Sequence, residues 1–296
     1  MNLTKLIRKI KLTYDEGRLT SVIKQRLKPY FRGFRFLYLT PFYFKKIRIH
    51  SPDYRTIDLE QDKLMVERIF NAYKKMRKDQ GDNYKHFKPS TAWQNFIETE
   101  YSILTKALEE DSLKDFYFFL TNFGAWKKYQ GIENTVLVKN NNTFFRRMYL
   151  KKDIFLKQLK IWKWITNETK SLEELSYPMF GNQVGAFING VFVGVGSFFN
   201  DIYGSLLDSI TSDIERPIIA DLGGGYGKLA YFTLRKKKDF CFIDFDLPEV
   251  LTLASFYLMK VFPDKKVLLY GEGEYNSESS SNFDLIFMPP WEIENV

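Results

Sequence analysis

The chain has 296 residues, 45% of them hydrophobic and 27% charged, which fits a folded protein of one large or two ordinary domains. A single cysteine, Cys241, excludes an internal disulfide framework, and His50 and His86 lie apart from any Cys, Asp or Glu cluster at ligand spacing, so no metal is predicted. The net charge of +8 is uneven: residues 1–50 hold 13 Lys/Arg against Asp15 and Glu16, and the remainder is near neutral, which argues against nucleic acid as the partner of the whole protein.

Residues 1–55 read as a basic amphipathic arm. Leu3, Leu6, Ile7 and Ile10 share one helical face beside Lys5, Arg8, Lys9 and Lys11, and Leu19, Val22, Ile23 and Leu27 repeat the pattern. An aromatic run from Phe34 to Phe44, broken by Pro41 and followed by Lys45 and Lys46, completes it. Residues 1–50 fit either a surface that rests on an anionic membrane or a basic arm or helix packed on the body. No run reaches the ~18 apolar residues needed to span a bilayer. The first residues lack the apolar stretch and cleavage site of a secretory signal, so a cytoplasmic location is expected, membrane-peripheral in the first of these readings of the arm.

Residues 56–210 predict a mainly α-helical domain. Ile57, Leu64, Met65, Ile69, Phe70, Tyr73 and Met76 recur at helical spacing over 56–80. Ser90 or Thr91 can cap a second helix carrying Trp93, Phe96, Ile97, Tyr101, Leu104 and Leu108. A third spans Leu113–Phe123. A fourth, over 142–166, has Phe144, Phe145, Met148, Phe155, Leu159, Trp162 and Ile165 as its core stripe. The glycine-rich stretch 177–204 fits either a close backbone approach to a ligand or a tight β-hairpin, and Phe198–Ile210 then reads as a helix.

Residues 211–296 predict a partial Rossmann-like α/β domain. The apolar run Ile218-Ile219-Ala220 ends in Asp221 and breaks into Gly223, Gly224, Gly225 and Gly227. The run Phe240–Phe245 contains Asp244 and ends at Asp246. Two strands joined by a glycine turn and a helix make half of a nucleotide-type pocket. A dinucleotide fingerprint counted from Gly223 would need glycine at Lys228, and counted from Gly225 it meets Ala230, an accepted variant. Asp-x-Gly-x-Gly-x-Gly fits S-adenosylmethionine (SAM) better. Its amine and carboxylate need bare backbone, and Asp221 can face the ammonium. Asp244 and Asp246 lie 23 and 25 residues after Asp221 and point to the same side of the strand. Either can accept from the two ribose hydroxyls. Asp246 can instead cap the helix opened by Leu247-Pro248.

Asp221-Leu222-Gly223-Gly224-Gly225 followed by Phe245-Asp246-Leu247-Pro248-Glu249-Val250 resembles the paired motifs of small-molecule O-methyltransferases. More narrowly, Gly223–Tyr231, Phe180-Gly181-Asn182 and Met288-Pro289-Pro290-Trp291-Glu292 resemble a bacterial family of sugar O-methyltransferases. The resemblance covers about residues 90–296 and is strongest after Pro217. It implies SAM as cofactor, held by Asp221, Gly223, Gly224, Gly225, Gly227, Asp246 and Leu247, with Asp246 on the ribose. It implies a sugar or glycan acceptor near Pro289, Pro290 and Trp291, and surface-polysaccharide biosynthesis as the setting. Gly271 and Glu272, after the third strand, fall on the adenine side.

Amino-methyltransferases place Asn or Asp before Pro-Pro-aromatic to accept from the target amine. Met288 offers no such acceptor, so O-methylation ranks above N-methylation. A methyltransferase sheet has seven strands in the order 3-2-1-4-5-7-6, and this sequence supplies four, so an incomplete sheet is expected. An inactive SAM-binding remnant is therefore the alternative. The base for hydroxyl activation is not identified by the sequence.

Overall fold

The computed structural model describes residues 47–50, 53–83, 87–125, 144–237, 239–276 and 278–295. Most of the expected basic arm and its membrane contact lie outside these residues, as does His86. Residues 47–50 do not continue an arm: Ile47–His50 is strand β1, and Ile47 is buried. A deletion of the arm that spares the sheet therefore ends at residue 46.

The helical stretch starts with α1 (Lys63–Asn83), whose buried stripe is Val66, Ile69, Phe70, Tyr73 and Met76. Leu64, expected in that stripe, is exposed, because it lies two residues before Val66 and so roughly 200° round the helix. Ile57 precedes the helix and is also exposed. The expected second helix is two, α2 (Thr91–Thr99) and α3 (Ser102–Glu109). At the break, the amides of Glu100 and Tyr101 both donate to the Phe96 carbonyl, at 2.7 and 3.1 Å, and the Thr99 hydroxyl takes the Asn95 carbonyl at 2.6 Å. The ladder ends there and Tyr101 turns into the core. Helix α4 (Leu113–Asn122) and α5 (Phe144–Ile165) follow. In α5, Phe155, Leu159 and Trp162 are buried as expected, while Ile165 is exposed; the side chains of Phe144, Phe145 and Met148 lie outside the described residues.

The glycine-rich stretch resolves into a hairpin. Strands β2 (Gly185–Ile188) and β3 (Val191–Gly194) pair antiparallel, and β1 adds to β2. Asn189 and Gly190 turn with φ of 51° and 88°, the positive pair that an Asn-Gly two-residue hairpin requires. Upstream, Gly181 has φ 97°, and its carbonyl accepts from the Gly124 amide at 2.7 Å. Asn182 donates to the carbonyl of Asp53 (2.8 Å) and to Asn122 (3.0 Å), which itself brackets the backbone of Arg55. Phe180-Gly181-Asn182 is thus a structural knot between three distant segments.

Helix α6 (Ser197–Ile210) leads into a parallel sheet of β4 (Ile218–Leu222), β5 (Cys241–Phe245), β6 (Val267–Leu269) and β7 (Leu285–Met288). Helices α7 (Lys228–Leu234), α8 (Pro248–Val261) and the short α9 (Ser279–Asn282) connect them. Four parallel strands were expected, but their order was not. In a methyltransferase sheet β4 would lie between β5 and β7. Here the order is β4-β5-β7-β6, with β4 at the edge. Every residue of β7 is buried and apolar, so it takes an interior place with strands on both flanks. β4 leaves Ile218 and Leu222 exposed, and α6, packed on α7, exposes Phe199, Tyr203, Leu206 and Ile210.

The largest core joins α1, α3 and α4 to α7, α8 and one face of the sheet through Phe242, Leu285 and Phe287. It therefore crosses the boundary near residue 210. Cys241, Ile243, Phe245, Ile286 and Met288 form a smaller cluster on the opposite face. Burial raises the Cys241 thiol to about 11, which keeps it an inert packing group. A third cluster gathers β1–β3, α5 and Phe198 of α6. Polar ties run from α1 to the sheet: Arg68 grips Glu272 at 2.7 Å, and the Tyr270 hydroxyl donates to Asp79 at 2.8 Å.

Gly181→Ala is expected to destabilise the fold strongly, since the new Cβ would lie 2.2 Å from the Phe123 ring as well as in left-handed backbone. Gly190→Ala meets open space and should cost only the backbone strain of about 1–2 kcal/mol. Denaturant midpoints of the two variants check this ranking.

Candidate functional site

The carboxyl ends of parallel strands are where open α/β sheets present their loops to ligands. Here β4 ends in Asp221-Leu222 and the chain turns through Gly223–Gly227 into α7. Gly223, Gly225 and Gly227 have φ of 80°, 63° and 85°, conformations that side chains resist. Gly227 also lets α7 start against α8, since a Cβ there would meet the Leu258 side chain at 2.8 Å. The loop is pinned to the end of β5. The Gly223 amide donates to the Phe245 carbonyl at 2.8 Å, and the Gly225 amide to Asp246 Oδ2 at 3.1 Å. The other Asp246 oxygen accepts from the Leu247 amide at 2.7 Å. Asp246 therefore braces loop and helix together, with Leu247 as the N-cap residue and Pro248 opening α8.

Register then does what spacing alone could not. Asp221 pairs directly with Asp244 across β4 and β5. Both carboxylates converge on the bare backbone of Gly224. A Cβ placed there would stand 2.9 Å from Asp244 Oδ1 and 3.0 Å from Asp221 Oδ2. Asp244 is fully buried, and neither of its oxygens makes a hydrogen bond of proper geometry. Burial, then the charges of Asp246 and Asp221, push its carboxyl well above the ordinary range, and the nearby Gly224 amide offsets this only in part. Burial also raises Asp221. It raises Asp246 to about 6 against the pull of the Leu247 and Gly225 amides.

Two further groups face this cluster. Tyr101, from the break between α2 and α3, is buried with a hydroxyl that has no hydrogen-bond partner. Burial raises it well above its ordinary value, and so do the charges of Asp246, Glu249 and Glu100. Glu249, in the first turn of α8, is fully buried. It is held by Arg77 at 2.9 Å and by the Tyr73 hydroxyl at 3.4 Å. Burial pushes its carboxyl up, opposed by Arg77. The buried ammonium of Lys228 donates to the Val195 carbonyl and lies over the rings of Tyr177 and Tyr226.

The expected cofactor residues Asp221, Gly223, Gly224, Gly225, Gly227, Asp246 and Leu247 thus form one constellation. The acceptor-side residues follow β7, whose Met288 pairs with Phe245, so Pro289 leaves the sheet beside Asp246. Trp291 packs edge-on to Tyr270 and donates to its hydroxyl at 3.4 Å. Gly271 and Glu272 have their contacts with α1 instead: Glu272 pairs with Arg68, and Gly271 abuts the Lys75 side chain. Sequence reading passed over Tyr101, which nothing local distinguishes from a core aromatic. Asp244 carried a readable signal, an acid on the inward face of an otherwise apolar strand.

Among the described residues, no group of three or more His, Cys, Asp or Glu is arranged to hold a metal ion, and no helix is long and apolar enough to cross a membrane. Comparison with protein-family models, with curated proteins and with solved structures returned no match.

A carboxyl raised on folding binds its proton more tightly in the native state, so its contribution to stability is full below pH 4 and lost as pH rises. For Asp246 the window is from about pH 4 to about pH 6. Asp246→Asn should flatten the stability–pH curve there by up to about 3 kcal/mol. Urea titrations at pH 4, 5, 6 and 7 measure it; a curve parallel to that of the wild type contradicts the assignment.

Proposed function

We propose that the chain binds SAM at the Gly223–Gly227 loop and transfers its methyl group to a sugar hydroxyl, in surface-polysaccharide biosynthesis. The observation that carries the reading is the buried, unpartnered Asp244 carboxylate beside Asp221 over a glycine with no side chain. Three acids with no ion-pair partner among the described residues suit a ligand that brings its own cation. The fit rests on the β4–loop–α7–β5 unit, whose pairing is independent of where β7 inserts. In this reading Asp221 and the bare glycine backbone hold the amino-acid end, and Asp246 and Leu247 hold the ribose. The cofactor, when bound, supplies an electrophilic methyl on its sulfonium. Pro289, Pro290 and Trp291 flank the acceptor.

A second reading, binding without transfer, is favoured by one observation. The carboxylates gathered at these strand ends are taken up by the cofactor and by Arg77 in the first reading, which leaves none for the acceptor. His50, the one described histidine, packs edge-on against Phe187 and Phe192 of the hairpin. A sugar hydroxyl needs a proton acceptor at the moment of transfer.

Calorimetric titration with S-adenosylhomocysteine is expected to saturate at one site. Asp246→Ala should weaken it at least tenfold, about 1.4 kcal/mol. Absence of binding to the wild type contradicts the reading. Labelled methyl transfer to a panel of sugars then separates an enzyme from a binding protein.

A further inference from the structure

We propose that Asp244 is the anchor for the positively charged group of the ligand and gives up a proton when that group arrives. The inference rests on the cofactor reading and adds to it a residue and a proton.

The three acids of the cluster are not equivalent. Asp246 accepts a backbone amide on each oxygen, and its remaining lone pairs are the ones the cofactor reading gives to the ribose. Asp221 lies on the edge strand and is only half-buried. Asp244 is buried and neither oxygen makes a hydrogen bond of proper geometry, the Gly224 amide being its one nearby donor, and Oδ1 lies 2.9 Å from where a side chain on Gly224 would begin. Two neighbouring acids, Asp246 at the end of β5 and Asp221 on β4, oppose a second negative charge there, and only the Gly224 amide favours one; Glu249 on α8 acts in turn on Asp246. Tyr101, from the α2–α3 break, adds a neutral hydroxyl. The nearby cations are engaged elsewhere, Arg77 with Glu249 and Lys228 with the Val195 carbonyl.

A carboxyl in that setting holds its proton in the free protein, as its raised pKa indicates. A cation entering over Gly224 reverses the balance. It turns the neighbouring acids from a penalty into an attraction, and Asp244 ionises to pair with it, releasing its proton to solvent. The ligand class is a nucleoside that carries an ammonium or sulfonium. A neutral nucleoside of the same shape gains nothing from the cluster. Gly224 is required because any side chain there would fill the point on which both carboxylates converge.

Two probes separate the charge from the nucleoside. S-adenosylhomocysteine carries an ammonium; 5′-methylthioadenosine keeps the purine, ribose and thioether and has no charge. Asp244→Asn should weaken S-adenosylhomocysteine at least tenfold and leave 5′-methylthioadenosine within about twofold, the mark of a lost charge-assisted contact. Calorimetry of the wild type in buffers of different ionisation enthalpy should show about one proton released per S-adenosylhomocysteine bound and none for the neutral probe. Affinity for the charged probe should rise with pH while that for the neutral one stays flat. Equal weakening of both probes, or no proton released by the wild type, overturns the role of Asp244. Failure of the wild type to bind either probe overturns the cofactor reading itself. The proton count uses the unaltered protein, so it stands even where the variant folds poorly.

Discussion

Parallel strands β4 and β5 run about 4.8 Å apart, and their register sets Asp221 directly against Asp244. Two like charges side by side in a sheet, one of them cut off from water, are costly unless protonated or neutralised. The rest of the site follows from that pairing. The loop after β4 must pass over the two carboxylates with no side chain, which fixes Gly224. It must also turn back sharply, which calls for left-handed backbone at Gly223, Gly225 and Gly227. Asp246 then holds the loop through the Gly225 amide and starts α8 in the same motion.

The acids face the large core and not the smaller cluster beneath the sheet. Asp244 shares its strand face with Phe242, whose neighbours include the helices of the first half of the chain. That is why a tyrosine from residue 101 closes on a site built by residues 221–249. The helical part serves as the wall of the site, tied to it by Arg77–Glu249, Lys260–Asp62 and Arg68–Glu272.

Local features were legible and long-range ones were not. The glycine turn, the acid ending β5, Pro248 at the head of α8 and the Ser90 cap each depend on a few adjacent residues, and each falls where the pattern puts it. Which strand sits beside which depends on distant partners. The buried run Leu285–Met288 pairs with β5 and β6, against the order that the resemblance implied. The helix break at Glu100–Tyr101 is a competition between side-chain and backbone hydrogen bonds that periodicity does not see. Leu64 and Ile165 match the apolar spacing but fall off the face that finds a partner. The glycine-rich stretch left a ligand approach and a tight hairpin both open; it forms the hairpin, and the glycines at 181, 185 and 194 make room for Phe123, Phe192 and Tyr177.

The central claim is that a cation neutralises the carboxylates around Gly224. Carbon-detected NMR of the protein labelled at its aspartate carboxyls, with Asp244→Asn used to assign the resonance, tests it most directly. The account predicts that Asp244 is protonated at neutral pH in the free protein and ionises on addition of S-adenosylhomocysteine. An Asp244 carboxyl already ionised at neutral pH, or one unmoved by the ligand while other resonances shift, would contradict it.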